Sequence, residues 1–329
     1  MAHHGSDKKV TRRGFVKGSV LASAGAVWAA GTASRSAVAQ TTASASIPLS
    51  PLPAPKATLP MGRIGDHQFS RLMLGGNLIG GYAHSRDLAY VSDLMRRYNT
   101  EAKIIETLEL AEVHGINVVN SWVRDGIAQL QQHWKRGGKM KWISQARVNA
   151  NGNLDQFKQA ADLGAAAIHV TGDVADDLVR QGKMETIVRI LELVRSRKCA
   201  AGVGAHGLHT IVECEKAKIN PDFYVKTYHS HDYHTAPKGD DTGDLGRYDN
   251  SWCKDPEEVA EVMHGVKQPW IAFKVLAAGA IPPQRGFQYA FAGGADFVLA
   301  GMFDWQIAED VQIANNVLAK VQRTRPWRS

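Results

Sequence analysis

Ala165-Ala-Ala-Ile-His-Val-Thr171, Met184-Glu-Thr-Ile-Val-Arg-Ile-Leu-Glu-Leu-Val194 and Ala200-Ala-Gly-Val-Gly-Ala-His206 follow one another along the chain. The first and third are short apolar runs, and the second is a longer stretch with apolar residues at helical spacing. That order reads as strand, crossover helix and parallel strand. Working outward, similar short runs recur near 71–76, 116–122, 141–147, 223–229, 270–276 and 296–301. Amphipathic stretches separate them, such as Ala102-Lys-Ile-Ile-Glu-Thr-Leu-Glu-Leu-Ala-Glu-Val113. Eight alternations within residues 61–329 match a single (β/α)8 barrel. A doubly wound open sheet would carry a phosphate-binding glycine turn after its first strand. Gly75-Gly-Asn-Leu-Ile-Gly-Gly81 lacks the required spacing.

Charge separates the barrel from what precedes it. Of the formal net charge of +7, about +5 sits in residues 1–39, where Lys8, Lys9, Arg12, Arg13, Lys17 and Arg35 face Asp7 alone. The barrel therefore has no basic stripe for nucleic acid. Thr11-Arg-Arg-Gly-Phe-Val-Lys17 resembles a twin-arginine export signal, followed by a weak apolar stretch from Gly18 to Gly31 and the small-x-small site Ala37-Val-Ala39. The apolar stretch is too short and too diluted by Gly and Ser to span a bilayer stably. The expectation is export by the twin-arginine translocase to the periplasm or beyond, with no stable membrane insertion after cleavage. Residues 40–60 carry five prolines and read as a linker. Three cysteines are too few for a disulfide framework.

Catalytic groups of such barrels sit where strands end. Alternation along the fourth run turns His169 inward if Ile168 and Val170 face the helices, and in the fifth Val203 and Ala205 leave His206 inward. The same reading of Phe223 and Val225, and of Ile271, Phe273 and Val275, turns Lys226 and Lys274 inward. Asn120, Gln145 and Arg147 end the second and third runs, and Asn77 follows the first. A loop without helical or strand pattern runs from His229 to Lys254, opening Tyr228-His-Ser-His-Asp-Tyr-His234. Loops of that length are usually lids or binding loops. The catalytic candidates are thus His169, His206, Lys226, His229 and Lys274. Asn77, Asn120, Arg147, His231, Tyr233 and Trp252 are candidates for substrate binding, with Tyr82, Tyr228 and Tyr248 as further stacking groups. His206, His229 and His231 form a candidate set for a divalent transition metal. Asp240, Asp241, Asp244 and Asp249 read as solvated loop acids.

Ser70-Arg-Leu-Met-Leu-Gly-Gly-Asn77, Ala111-Glu-Val-His-Gly-Ile-Asn-Val-Val-Asn-Ser121, the run from Val194 to His206, and Val298-Leu-Ala-Gly-Met-Phe303 together resemble the aldo/keto reductase superfamily. The resemblance implies the barrel fold and a tetrad: Asp ending strand two, Tyr shortly after, Lys on strand three and His on strand four. Asn120 stands in the place of the Asp, no Tyr occurs in residues 121–126, and Gln145 or Arg147 stands where the Lys would be. His169 alone matches. Ala300-Gly-Met-Phe-Asp304 puts no Arg or Lys at the expected phosphate position and adds an acid, so no tight NADP(H) site is expected. Val225-Lys226-Thr227 and Phe273-Lys274-Val275 look like the paired lysines of Schiff-base aldolases of the deoxyribose-phosphate type. An electrostatic role for both lysines is the alternative.

The leading expectation is an exported enzyme acting on a polar carbonyl-bearing or sugar-like small molecule. It would use acid/base chemistry of lyase, isomerase or hydrolase type, with His169, His206 and His229 moving protons. Lys226 and Lys274 would stabilise an enolate or alkoxide. A NAD(P)-dependent oxidoreductase of aldo/keto reductase type and a non-catalytic solute-binding barrel are the alternatives.

Overall fold

The computed structural model describes residues 58–149, 151–238 and 250–329. The export signal at 1–39, the linker up to residue 57, the loop acids Asp240, Asp241, Asp244 and Asp249, and Tyr248 lie outside the described residues. A hairpin, β1 (Met61–Ile64) and β2 (His67–Ser70), precedes the barrel and pairs Ile64 with His67 across the Gly65 turn. The barrel strands are β3 (Leu72–Gly75), β4 (Val118–Trp122), β5 (Lys141–Ala146) and β6 (Ala167–Val170), then β7 (Ala200–Ala205), β8 (Phe223–Thr227), β9 (Trp270–Phe273) and β10 (Phe297–Ala300). They close in sequence order, β10 pairing with β3, and every pair is parallel. All eight apolar runs are therefore barrel strands, and the fold is a (β/α)8 barrel.

The amphipathic stretches form helices, Glu101–Val113 with Thr100 capping the Lys103 N–H, and Met184–Ser196. The connection from β6 to β7 holds a second helix, Gly172–Arg180. The long segment after β3 holds one as well, Tyr90–Tyr98, with no buried residue. Its apolar residues Tyr90, Val91, Leu94, Met95 and Tyr98 do recur at helical spacing, although that face is not buried. Among the described residues, no helix is long and apolar enough to cross a membrane.

Two apolar layers result. Leu72, Val119, Trp142, Ile168, Val203 and Ala272 face the helices. Met73, Val118, Ile143, Phe223, Val225 and Ile271 fill the barrel interior, where Ile64 and Phe69 of the hairpin join them. Alternation placed His169 and His206 correctly, but it was inverted for β8 and β9. Phe223 points inward, where Gly202 has no side chain: a Cβ there would stand 2.4 Å from the Phe223 ring. Lys226 consequently lies on the outer layer. Strands of a parallel barrel are buried on both faces, so an apolar residue on one does not mark the outside.

The end of the barrel where strands begin is sealed. Asp296, just before β10, accepts hydrogen bonds from the Trp270 and Arg328 backbone N–H groups at 2.9 and 2.8 Å. The Arg325 guanidinium donates to it at 2.5 Å, and Arg323 approaches at 3.6 Å. Arg71 holds the Asp296 carbonyl at 2.9 Å and the Ser329 hydroxyl at 3.0 Å. The Trp327 ring lies between the Arg71 and Arg323 guanidiniums, at 3.6 and 3.4 Å from its centroid. Asp296 and Arg325 are buried, as is Arg71.

Candidate functional site

At the opposite end, where the strands finish, a cavity of about 440 Å³ opens. Its floor is made by strand ends: Gly75, Asn120, Gln145, His169, Gly204 and Leu299. Gly204 is required there, because a Cβ would stand 2.6 Å from the Val170 carbonyl oxygen and 2.8 Å from the Gly172 nitrogen. The walls are Trp122 and Arg124 after β4, His206 after β7, Trp252 from the loop after β8, and Lys274 after β9.

His169 is fully enclosed. Asn120 Nδ2 lies 3.1 Å from its Nε2, and Nδ1 lies 3.2 Å from the Val170 carbonyl oxygen. That arrangement puts the ring proton on Nδ1, donated to the carbonyl, and leaves Nε2 accepting from the amide. Burial holds the imidazole neutral by pushing its pKa down to about 4. Asn120 on β4 therefore pairs directly with His169 on β6.

Lys274 reaches the cavity by a route that strand alternation does not describe. Its backbone is left-handed (φ 59°), and its ammonium lies 3.6 Å from the centroid of the Trp252 ring and 3.3 Å from His84 Nε2. Ala277, Ala278 and Gly279 also have positive φ, at 45°, 56° and 91°. Non-glycine residues held in this region store strain, and such strain concentrates at ligand sites. Successive turns of this kind also gather backbone N–H groups into concavities that suit anions.

His206, Trp252 and Asn77 line the cavity, as the sequence reading expected. Five other candidates do not. Lys226 is buried in the outer layer, with its ammonium on the His206 and Thr227 carbonyls at 2.6 and 3.1 Å. It therefore shares no pocket with Lys274, and the paired-lysine likeness to Schiff-base aldolases fails in space. His229 accepts the Trp252 backbone N–H on Nε2 at 3.0 Å and donates Nδ1–H to the Ser230 carbonyl, also at 3.0 Å. Burial pushes its pKa down to about 4. His231 Nε2 donates to the Cys253 carbonyl at 2.6 Å, and the Tyr233 hydroxyl to the Asn250 carbonyl at 3.0 Å.

These contacts form a pattern. Thr227, His229, His231, Tyr233 and Thr235 alternate along the chain, and each bonds to the returning segment 250–253. The histidines pin the loop base and so seat Trp252 in the cavity wall. With these nitrogens spent, the metal set His206, His229 and His231 does not assemble. Among the described residues no group of three metal-ligating side chains comes together. Arg147 stands outside the cavity lining, ion-paired with Asp173, which does line it, and 5.8 Å from the Trp122 ring centroid.

Sequence reasoning missed three features. Arg124 donates to the Tyr82 hydroxyl at 2.5 Å, that hydroxyl donates to Asp125 at 3.0 Å, and Tyr82 and Arg124 line the cavity mouth. Asp304 is not a bare acid: Lys103 pairs with it at 3.0 Å and the Tyr98 hydroxyl at 2.7 Å. The acid counted against a tight NADP(H) site is therefore ion-paired. Asp176 is buried behind His206. The available signal was an acid sharing the buried face of the helix Gly172–Arg180 with Gly172 and Val179. Three buried polar atoms of cavity-lining residues have no hydrogen-bond partner: Asn120 Oδ1, Thr171 Oγ1 and His206 Nδ1, the last of which faces Asp176.

No family model matches the chain, and no curated protein matches it. Solved structures do. Two, both assigned as aldo-keto reductase of Pseudomonas aeruginosa, have TM-scores of 0.56 and 0.55 at 16% and 17% identity. Each alignment covers 80% of this chain and 98% of the other. At that identity the likeness shows the fold. The lyase, isomerase or hydrolase reading is corrected: two of its five catalytic residues, Lys226 and His229, lie outside the cavity, and the structural neighbours are assigned as aldo-keto reductases, the type that the sequence reading held only as an alternative.

Proposed function

We propose that the protein is an exported oxidoreductase of aldo/keto reductase type that interconverts a small carbonyl compound and its alcohol with a nicotinamide dinucleotide. The observation that carries the reading is the Asn120–His169 pair: a neutral, fully enclosed histidine on the fourth barrel strand, bonded to the residue ending the second, at the floor of the cavity. The residues present fit the cofactor. Asn120 Oδ1 and Thr171 Oγ1 call for a ligand group that both donates and accepts, as a carboxamide does. The strained turn from Lys274 to Gly279 suits a pyrophosphate, and Trp252 and Phe273 supply aromatic wall. When bound, the nicotinamide supplies or removes hydride. The chain's own residues orient the carbonyl, exclude water and manage the proton.

Titration with NADH and with NADPH, followed by quenching of tryptophan fluorescence, tests the reading, since Trp122 and Trp252 line the cavity. Saturable binding of at least one nucleotide, with turnover of 4-nitrobenzaldehyde, is expected. Binding of neither by folded protein would overturn the reading in favour of a solute-binding barrel. The export part rests on Arg12 and Arg13. Replacing both by Lys should strand the precursor in the cytoplasm, and normal export of that variant would remove it.

A further inference from the structure

Two buried charges converge on one residue of the cavity wall. The His206 backbone N–H donates to Asp176 Oδ2 at 3.0 Å, and its carbonyl accepts Lys226 Nζ at 2.6 Å and the Thr227 hydroxyl at 3.1 Å. Asp176 and Lys226 are both buried, which is costly for ionised groups. Asp176 is itself fixed by the Gly207 N–H at 3.0 Å and the Thr210 hydroxyl at 2.5 Å. The His206 ring sits with Nδ1 3.7 Å from Asp176 Oδ2 and without a hydrogen-bond partner. Gly172 makes room for it, since a Cβ there would stand 2.8 Å from Nδ1. The ring packs on Phe273 at 5.6 Å and leaves Nε2 to the cavity it lines.

The other ionisable groups lining the cavity have partners of their own: Arg124 donates to Tyr82, Asp173 pairs with Arg147, and His84 lies beside Lys274 and edge-on to Trp252. His169 spends Nδ1–H on Val170 and Nε2 on Asn120, and burial keeps it neutral. The Tyr82 hydroxyl is given to Asp125, and burial and that carboxylate push its pKa up. The Lys274 ammonium lies over Trp252 and beside His84. Asn120 and Gln145, standing where the superfamily resemblance expects acid and lysine, do not ionise.

We propose that His206 exchanges the proton with the substrate oxygen, and that Asp176 and Lys226 are positioning residues for it. The proposal rests on the oxidoreductase reading, for which it supplies the missing proton donor. In the reducing direction the carbonyl carbon accepts a hydride from the reduced nicotinamide dinucleotide, and the C=O π bond opens onto oxygen. That oxygen takes the Nε2 proton of the His206 imidazolium. The carbonyl compound is reduced to the alcohol and the nicotinamide is oxidised. Neutral His206, keeping its proton on Nδ1 toward Asp176, regains the Nε2 proton from solvent at the cavity mouth. A carboxylate behind an imidazole fixes its tautomer and stabilises its charged form. The charged groups that face the ring are Asp176 and Asp173 on the helix after β6, Lys226 at the His206 carbonyl and Lys274 across the cavity.

The test uses the full chain, nitrogen-15 labelled at histidine, with His206→Gln to assign the resonance. Neutral His206 should carry its proton on Nδ1. In Asp176→Asn that preference for Nδ1–H should be lost, because the carboxylate that fixes the tautomer has been removed. With the reduced nucleotide and 4-nitrobenzaldehyde, His206→Gln should lower kcat by about 100-fold or more, change KM little, and abolish the limb of the pH profile that follows the imidazolium. A neutral wild-type ring protonated on Nε2 overturns the proposal even if Asp176→Asn does not fold. So does a tautomer unchanged in Asp176→Asn, or an unchanged kcat and pH profile in His206→Gln. Failure of the wild type to bind either nucleotide sinks the oxidoreductase reading instead, while the Asp176–His206 tautomer is still decided by the resonance data.

Discussion

At the end of the barrel where strands begin, the Asp296 carboxylate has partners on both oxygens, and the guanidiniums around it pack on one indole ring. At the end where strands finish, Asn120 Oδ1 and Thr171 Oγ1 are buried with no partner and the backbone from Lys274 to Gly279 is strained; at the seal Arg325 Nε is also without a partner, so the strain and the cavity set the ends apart as much as the orphaned atoms do. The same eight strands carry both ends. A buried polar atom without a partner costs about 1–3 kcal/mol, so the second arrangement lowers stability unless a ligand completes it. The contrast marks one end as a seal and the other as a site.

The largest effect should come from breaking the seal. Asp296→Ala leaves Arg325 fully buried and deprives Arg323 and Arg71 of their shared acid. Removing one partner of a buried ion pair costs about 3–5 kcal/mol. Urea denaturation should show a loss of that size. A loss under about 1 kcal/mol would mean that the guanidiniums find water, and that the seal is looser than its hydrogen bonds indicate.

Next come the two lysines, which the sequence treated as equivalents. Lys226→Met should cost about 3 kcal/mol, because its ammonium holds the His206 and Thr227 carbonyls inside the protein. Lys274→Met loses a cation–π contact, with an expected cost under about 1 kcal/mol. Thermal melts of the pair check this, and equal drops would place the two lysines in the same role after all.

Their fate shows how much was legible. The eight strands were readable because a doubly covered parallel strand is a short apolar run. That double burial hid which face was inside, so Lys226 was assigned to the cavity and Phe223 to the outer layer. Lys274 lines the cavity through a left-handed backbone at the strand end, which apolar alternation does not describe. The histidine-rich loop suggested a metal because spacing brings His229 and His231 close, with ring centroids 6.1 Å apart. What spacing could not show was that their nitrogens bond to the Trp252 and Cys253 backbone.

Acid should weaken the protein as well. His169 and His229 titrate at about 4 in the folded chain against an ordinary value of 6.5. Below 6.5 the unfolded chain binds their protons first, so stability falls as pH drops from 6.5 toward 4 and is unaffected by these groups above that window. Asp310, pushed up to about 6 by burial, acts in the opposite sense and recovers part of the loss between 6 and its ordinary 3.8. The net loss at pH 4 should be on the order of 4 kcal/mol. Denaturant midpoints across that window check it. A flat profile would mean that the two imidazoles are not held neutral, which would remove the reason for excluding His169 as proton donor.

The smallest effect is the most pointed, because it should have the unusual sign. Thr171 precedes the helix Gly172–Arg180 in the N-cap position, yet its hydroxyl caps nothing and has no partner. The side chain is buried, at 4% exposure, and lines the cavity. Thr171→Val keeps the shape and the β-branch while deleting the unmatched hydroxyl. Replacing a capping threonine or one already bonded within the protein would cost about 1 kcal/mol. Here the folded chain loses nothing that it uses, so the variant should be as stable as the wild type or up to about 1 kcal/mol more stable. Nicotinamide nucleotide binding, by contrast, should weaken by roughly tenfold, the equivalent of one hydrogen bond of about 1.4 kcal/mol made only in the complex. Melting and fluorescence titration of the same preparation separate the two quantities. A variant that loses stability would show that the hydroxyl is satisfied in the free protein, and the contrast between the two ends would lose one of its supports. A variant that gains stability and binds as before would leave the orphaned group unexplained by this ligand and move the carboxamide away from Thr171.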